Sequence, residues 1–292
     1  MIVTTLNGGL GNQLFQYALA RRLAYDRNVQ LRVDTSIYAD STQYRAYCLN
    51  RFEINASPIS DDEIKKFWRW KNLPYLGKWR ESAELRRPYN KRMVVQEQDV
   101  KFDKNILKVG SHVYLHGYWQ SEKYFKTIAD LLRKEIRPKD AWNKENSLLL
   151  KQIQDCQAVS VHIRRGDYVS NPDMNKTHGI LSQSYYEQAA KIIKGKMTAP
   201  HFFVFSDDAL WVRENLDFHA PTFYVSHNNN IQDHWDMILM GCCSHHIIAN
   251  SSFSWWGAWL NPSSEKIVIA PKRWFKADIF NPDLLPEEWI KI

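Results

Sequence analysis

Apolar residues along this chain fall in short runs separated by polar turns and helix-periodic stretches. Residues 2–6 are one such run, broken by Asn7-Gly8-Gly9-Leu10-Gly11-Asn12. Residues 13–25 then place Leu14, Phe15, Ala18, Leu19 and Leu23 at helical spacing, and residues 29–33 alternate as a second strand ending at Asp34. Strand, glycine turn, helix and strand make a β-α-β unit, the building block of a doubly wound sheet. Further on, 113–119 predicts a strand and 121–136 a helix. Arg137-Pro138-Lys139-Asp140 breaks the pattern before another helix over 143–156.

The second half repeats the rhythm. Strands are predicted at 158–163, 202–205, 223–226, 246–249 and 267–270, with helices at 184–194, 209–215, 232–242 and 252–260 between most of them. Alternating β and α implies a mainly parallel sheet, whose ligands sit beyond the carboxyl ends of the strands. A chain of 292 residues suits two domains of this kind. The boundary is expected within the helical region between the halves, giving domains 1–150 and 151–292.

Composition narrows the class. Hydrophobic residues are 44% and charged residues 24%, the profile of a packed globular protein. The net charge of +7 favours an anionic partner: nucleic acid, an acidic membrane surface or a phosphate-bearing substrate. No lysine-arginine run and no zinc-finger spacing supports nucleic acid. Cys48, Cys156, Cys242 and Cys243 have no CxxC spacing, and the adjacent last two are poorly placed for a disulfide with each other, so a reducing compartment is the simplest reading. The start of the chain lacks the three parts of a signal peptide, and no stretch reaches the roughly 20 apolar residues of a spanning helix. The segment 61–92 mixes Trp68, Trp70 and Trp79 with many lysines and arginines. It reads either as an amphipathic surface helix with snorkelling cations or as a peripheral membrane or acceptor-side patch.

Candidate chemistry gathers at strand ends. Gly8, Gly9 and Gly11, with Asn12 and Gln13, join a strand to a helix, where glycine permits positive φ and the helix start offers free N–H groups. The loop fits neither the P-loop nor the GxGxxG spacing. His162-Ile163-Arg164-Arg165-Gly166-Asp167-Tyr168 closes an apolar strand. Alternation sends Arg164 and Arg165 in opposite directions, so one can grip a diphosphate while the other pairs elsewhere. Ser206-Asp207-Asp208 ends another strand; the carboxylates can accept from a ribose, cap the next helix or hold a metal, the last being disfavoured beside Arg164. Asp236, on a mostly apolar helix, wants a partner such as the N1–H and 2-amino groups of guanine. Asn250, Ser251, Ser252, Phe253 and Ser254 stand at a helix entry that suits both capping and phosphate binding.

These blocks, in this order and along the whole chain, resemble the bacterial α-1,2-fucosyltransferases of glycosyltransferase family 11. The similarity is carried by the glycine block from Gly8 to Ala18, Gly117-Tyr118-Trp119-Gln120-Ser121-Glu122-Lys123-Tyr124-Phe125, His162 to Tyr168, Phe205 to Asp208, and Asn250 to Trp259. The resemblance implies a GT-B architecture, two Rossmann-like domains facing across a cleft. It also implies transfer of L-fucose from GDP-β-L-fucose, with inversion, to the 2-hydroxyl of a terminal β-galactose. On this reading GDP-fucose binds the second half and the acceptor glycan meets the first. No metal or other cofactor is expected, nor any nucleic acid partner. The resemblance implies a bacterial enzyme of the cytoplasm, with contact at the inner membrane face open through 61–92.

The same resemblance assigns Arg164 to the β-phosphate, His162 and Asp236 to the nucleoside, and Ser251, Ser252 and Phe253 to the phosphates. Arg165, Ser206, Asp207, Asn250 and Ser254 complete the expected donor site. Arg164, Asp167 and His162 are the expected catalytic set. The residue that takes the acceptor proton is left open among Asp34, His116, Glu122 and Asp167.

Overall fold

A computed structural model describes residues 1–39, 45–68, 83–228 and 232–292. The chain forms two compact units. The first comprises Met1–Arg137 with Asn281–Leu284, and the second Pro138–Phe280 with Leu285–Ile292. The division falls at the Arg137-Pro138 break, ahead of residue 150, so the helix that follows belongs with the second unit. The returning segment Asn281–Leu284 joins the first unit, where Asp283 pairs with Lys123 at 2.7 Å and accepts from the Phe102 N–H at 3.0 Å.

The first unit holds β1 (Ile2–Thr5), α1 (Leu10–Arg27), β2 (Leu31–Asp34), β3 (Ser57–Pro58), α2 (Asp61–Trp68), β4 (Val94–Gln96), β5 (Val113–His116) and α3 (Ala129–Glu135). Its sheet is parallel throughout in the order β3-β2-β1-β5-β4. Helix α1 buries Leu14, Phe15, Ala18, Leu19 and Leu23 completely, the residues its spacing marked. It ends at Asn28, whose left-handed φ of 51° lets its N–H reach back to Ala24 and Tyr25.

Two expectations shift here. The helix expected over 121–136 opens as two 3-10 turns, 122–124 and 126–128, before α3. The strand expected to run to Trp119 stops at His116, where its pairing with β4 ends at Gln96, and Trp119 beyond it takes a positive φ of 57°.

The second unit holds α4 (Lys144–Gln154), β6 (Gln157–Ile163), the short helices α5 (Gly166–Ser170) and α6 (Pro172–Thr177), α7 (Gln183–Lys194) and β7 (Pro200–Ser206). After them come α8 (Ala209–Asn215), β8 (Thr222–Val225), α9 (Asp233–Cys242), β9 (His245–Ile247), α10 (Ser252–Leu260), β10 (Val268–Ala270) and β11 (Ile290–Lys291). Its six strands are parallel in the order β11-β10-β9-β6-β7-β8. Strand β7 explains the layering: Phe202 and Val204 enter the core on one face, Phe203 and Phe205 the core on the other. A strand buried on both faces reads as a continuous apolar run, and here the run is nearly all phenylalanine. Trp255, Trp256 and Trp259 of α10 are buried and pack on one another, so these tryptophans build core.

Candidate active site

Strand order locates the site before any side chain is considered. In a doubly wound sheet the chain leaves in opposite directions from two neighbouring strands, and the crevice between their carboxyl ends receives the ligand. In the second unit that pair is β6 and β9. The segment after β6 is Arg164-Arg165-Gly166-Asp167, and the segment after β9 runs through Asn250 to Ser251, the N-cap of α10.

Arg164 is held by two carboxylates. Its Nη2 lies 2.5 Å from Asp167 Oδ1 and its Nη1 2.7 Å from Asp207 Oδ2. Two pairings leave part of the guanidinium fork for another acceptor. Asp207 also accepts from the Arg165 N–H at 2.8 Å. Gly166 makes this approach possible, since a Cβ there would sit 2.6 Å from the Asp207 carboxylate.

Arg165, also expected in the donor site, has partners of its own. Its Nε pairs with Asp208 at 2.9 Å and its guanidinium lies 3.7 Å over the Trp211 ring, while Asp208 caps α8 by accepting from the Trp211 N–H at 3.2 Å. Arg165 and Asp208 thus fasten the β6 exit to the start of α8. Ser206 serves the same corner, accepting from the Asp208 N–H at 3.0 Å. Both aspartates of the pair engage arginines, and among the described residues no group of three His, Cys, Asp or Glu is placed to hold a metal ion.

His162, on β6, is buried, and its ring centroid lies 5.6 Å from that of Phe253. Burial lowers its pKa to about 4, so the imidazole is neutral at physiological pH. Asn250 is buried and donates to the carbonyls of His178, Gly179 and Trp274, while its Oδ1 has no hydrogen-bond partner among the described residues. Ser251 caps α10, and Ser252 and Phe253 are half-buried at its first turn. Ser254 corrects the expected set: it is fully buried and bonds back to the carbonyls of Ala249 and Ser251, so it faces the core. Asp167, also buried and committed to Arg164, orients a cation and is poorly placed to take a proton.

Asp236 lies in the first turn of α9, the helix that follows the edge strand β8. Burial raises its pKa to about 7, and Asn228 Nδ2 donates to its Oδ1 at 2.7 Å. Asn228 is in turn bonded to Asn146 of α4. Sequence reasoning missed both asparagines. The signals were a cap at Asn143 that fixes where Asn146 falls, and the Asn-rich stretch from Asn228 leading into the Asp236 helix.

In the first unit β1 and β5 are neighbours at the middle of the sheet. Gly8, after β1, has a φ of +78°. Its carbonyl accepts from Tyr38 Oη at 2.8 Å and Gln13 Nε2 at 3.0 Å. Gly9 is the N-cap of α1 and Gly11 lies inside the helix. Gln13 is fully buried, with further bonds to the Ala46 carbonyl and the Cys48 N–H, so it acts as a structural tie. Asn12 accepts from Gln120 at 2.9 Å.

After β5, Glu97 accepts from the N–H groups of Tyr118 at 2.6 Å and Trp119 at 2.9 Å, holding a left-handed Trp119 whose strain is about 1–3 kcal/mol. Glu97 too was missed by sequence reasoning. Of the four candidates for the acceptor proton, Asp34, Glu122 and Asp167 are buried and His116 is exposed. A hydrogen-bond chain runs behind His116. Its Nδ1 lies 3.2 Å from Thr5 Oγ1, Thr5 donates to Tyr114 Oη at 2.7 Å, and Tyr114 donates to Asp34 at 2.5 Å. The basic, tryptophan-bearing segment is partly accounted for. Phe67 is buried in the first unit's core and Trp68 packs edge-on to Tyr114, while 69–82, with Trp70 and Trp79, lies outside the described residues. Among the described residues no helix is long and apolar enough to cross a membrane.

Two parallel doubly wound units are the architecture of the GT-B glycosyltransferases. The fold is shared with a fucosyltransferase NodZ from Bradyrhizobium, a solved structure 15% identical, with a TM-score of 0.50 over 89% of this chain and 93% of that one. The family is direct: residues 90–292 match the Glycosyl transferase family 11 model, and the chain belongs to that family. An Alpha-1,2-colitosyltransferase of Escherichia coli is 34% identical over 304 residues, 100% of this chain and 99% of that protein. A Galactoside alpha-(1,2)-fucosyltransferase 1 of Bos taurus is 25% identical over 301 residues, 98% of this chain and 74% of that protein.

Proposed function

We propose that this glycosyltransferase moves L-fucose from GDP-β-L-fucose to the 2-hydroxyl of a terminal β-galactose, forming an α-1,2 linkage without a metal ion. The observation that carries the reading is Arg164, held by Asp167 and Asp207 at the β6 exit beside the start of α10. As the bond between the sugar C1 and the β-phosphate oxygen breaks, negative charge grows on that phosphate. A preorganised guanidinium is the group that stabilises it. The carboxylates fix the fork in place before the donor arrives. Neutral His162 and Phe253, their rings tilted at 44° to each other, form an uncharged wall suited to the nucleoside, and Asp236 accepts from guanine. The acceptor is assigned to the first unit, whose exposed His116 takes the proton from the attacking hydroxyl; the chain through Thr5 and Tyr114 to Asp34 stabilises the resulting imidazolium.

The colitosyltransferase relative favours a second reading, in which the same site takes GDP-L-colitose. L-Colitose is L-fucose without its 3-hydroxyl, so both sugars present the same leaving group. Incubation with each GDP-sugar and a panel of β-galactosides, followed by linkage determination, tests both. An α-1,2-fucoside supports the first reading, and turnover confined to the colitose donor supports the second. GDP release with neither product sinks both.

A further inference from the structure

We infer that Asn146 and Asn228 are positioning residues that set the Asp236 carboxylate for a base bearing an N1–H and a 2-amino group, so that base specificity is built partly into α4. The inference rests on the proposed GDP-sugar reading and deepens it. Asn143 caps α4 by accepting from the Asn146 N–H at 2.8 Å, which fixes where the first turn begins and turns the Asn146 side chain inward, where it is fully buried. There the amides of Asn146 and Asn228 pair reciprocally. Asn146 Nδ2 donates to Asn228 Oδ1 at 3.1 Å and Asn228 Nδ2 to Asn146 Oδ1 at 3.0 Å. His227 Nε2 adds a second contact to Asn146 Oδ1 at 2.6 Å.

An amide nitrogen has two hydrogens. The second on Asn228 goes to Asp236 Oδ1 at 2.7 Å. The carboxylate is therefore steered by a neutral donor, and among the described residues no cation pairs with it. That distinction has a chemical consequence. A lysine or arginine would neutralise Asp236 and consume the lone pairs that a base needs. The amide fixes one oxygen's direction and leaves the charge, together with Oδ2 and a second lone pair on Oδ1. Two parallel N–H donors on one edge of a purine fit that acceptor set. Adenine presents a lone pair at N1 and no 2-amino group. A site built to accept a specific N–H discriminates strongly against an analogue lacking it, because buried polar groups are then left unpaired.

The test is calorimetric titration of the full chain with GDP and with IDP, which differs only by lacking the 2-amino group. The wild type is expected to prefer GDP by about tenfold or more. Asn228→Ala is expected to weaken GDP about tenfold and IDP by less, so that the ratio between them collapses. Asn146→Ala, which leaves Asn228 present but unbraced, is expected to move the ratio the same way by a smaller factor, and it decides the matter if Asn228→Ala does not fold. Equal weakening of both nucleotides, or an unchanged ratio, overturns the inference while leaving the GDP-sugar reading intact. A wild type that binds no GDP overturns that reading and this inference with it.

Discussion

The Arg164 guanidinium lies 2.7 Å from the Asp207 carboxylate, and the same carboxylate accepts from the Arg165 N–H, so one aspartate fixes both the arginine and the turn that carries it. Arg164 thus stands preoriented, with Asp167 on its other side. Lysine is not a substitute at such a site, because it offers a point charge where the geometry supplies a planar fork. Arg164→Lys is expected to lower kcat by about 10²–10³-fold with the melting temperature nearly unchanged. Asp207→Asn is expected to lower kcat by less, since it loosens the arginine without removing it. Steady-state kinetics beside thermal melts check both, and a kcat for Arg164→Lys close to wild type defeats the assigned role.

Arg165, next along the chain, is expected to behave in the opposite way. Its contacts are Asp208 and the Trp211 ring, both at the start of α8. Truncating it removes a partly buried ion pair and a cation–π contact, together about 1–3 kcal/mol. Arg165→Ala should show that loss in denaturant unfolding, with KM for the donor and kcat close to wild type in the protein that remains folded. A kinetic defect as large as that of Arg164→Lys would move Arg165 back into the donor site.

The contrast between these neighbours shows the reach of strand alternation: β6 ends at Ile163, so both arginines lie past it, and what separates them is the aspartates each one pairs with. The apolar runs of β6 and β7 were long enough to be strands whatever surrounded them. Strands β3, β4 and β11 escaped notice because two or three residues carry no period; they are strands because a neighbouring edge offers backbone partners. Ser254 was misassigned because a hydroxyl one turn into a helix looks the same in sequence whether it faces ligand or core. From Ser254 to Trp259 every residue of α10 is buried, and Ser254 shares its side of the helix with Gly257 and Ala258, the side where Gly257 packs against Met240 of α9. Asn146, Asn228 and Glu97 act through contacts that no local pattern records: the asparagines are 82 positions apart, and Glu97 reaches Tyr118 across 21.

His116 provides a prediction about partition between two reactions. Donor cleavage by water needs the departing phosphate stabilised but not the sugar acceptor's hydroxyl deprotonated. His116→Ala is therefore expected to lose transfer by about 10²–10⁴-fold while keeping GDP binding and slow hydrolysis of the GDP-sugar. Tyr114→Phe interrupts the chain to Asp34 and is expected to give a smaller loss of the same kind. Burial and the Asp34 carboxylate both push the Tyr114 phenol pKa upward, so this hydroxyl stays protonated and acts as a hydrogen-bond link across the working pH range. Product analysis separating free sugar from the glycoside checks the partition, and a His116→Ala variant with full transfer ends the assignment.

Asp236 ties stability to binding through pH. Its pKa rises from the ordinary 3.8 to about 7, with burial the main cause and Asp233 adding to it, against the opposing bond from Asn228. A carboxyl whose folded-state pKa is raised keeps its proton in the native state while the unfolded chain has already lost it. The native protein then binds more protons between pH 4 and 7, and its stability falls as pH rises through that window. Asp236→Asn, which cannot ionise, is expected to raise the melting temperature more at pH 8 than at pH 5. The charged form that costs stability is the form that accepts from a base, so GDP affinity should run the other way, weakening as pH drops below about 7. In Asp236→Asn that pH dependence should vanish along with most of the affinity. Melting curves and nucleotide titrations at both pH values test the coupling: a wild-type GDP affinity that stays flat from pH 5 to 8 disconnects this carboxylate from the base.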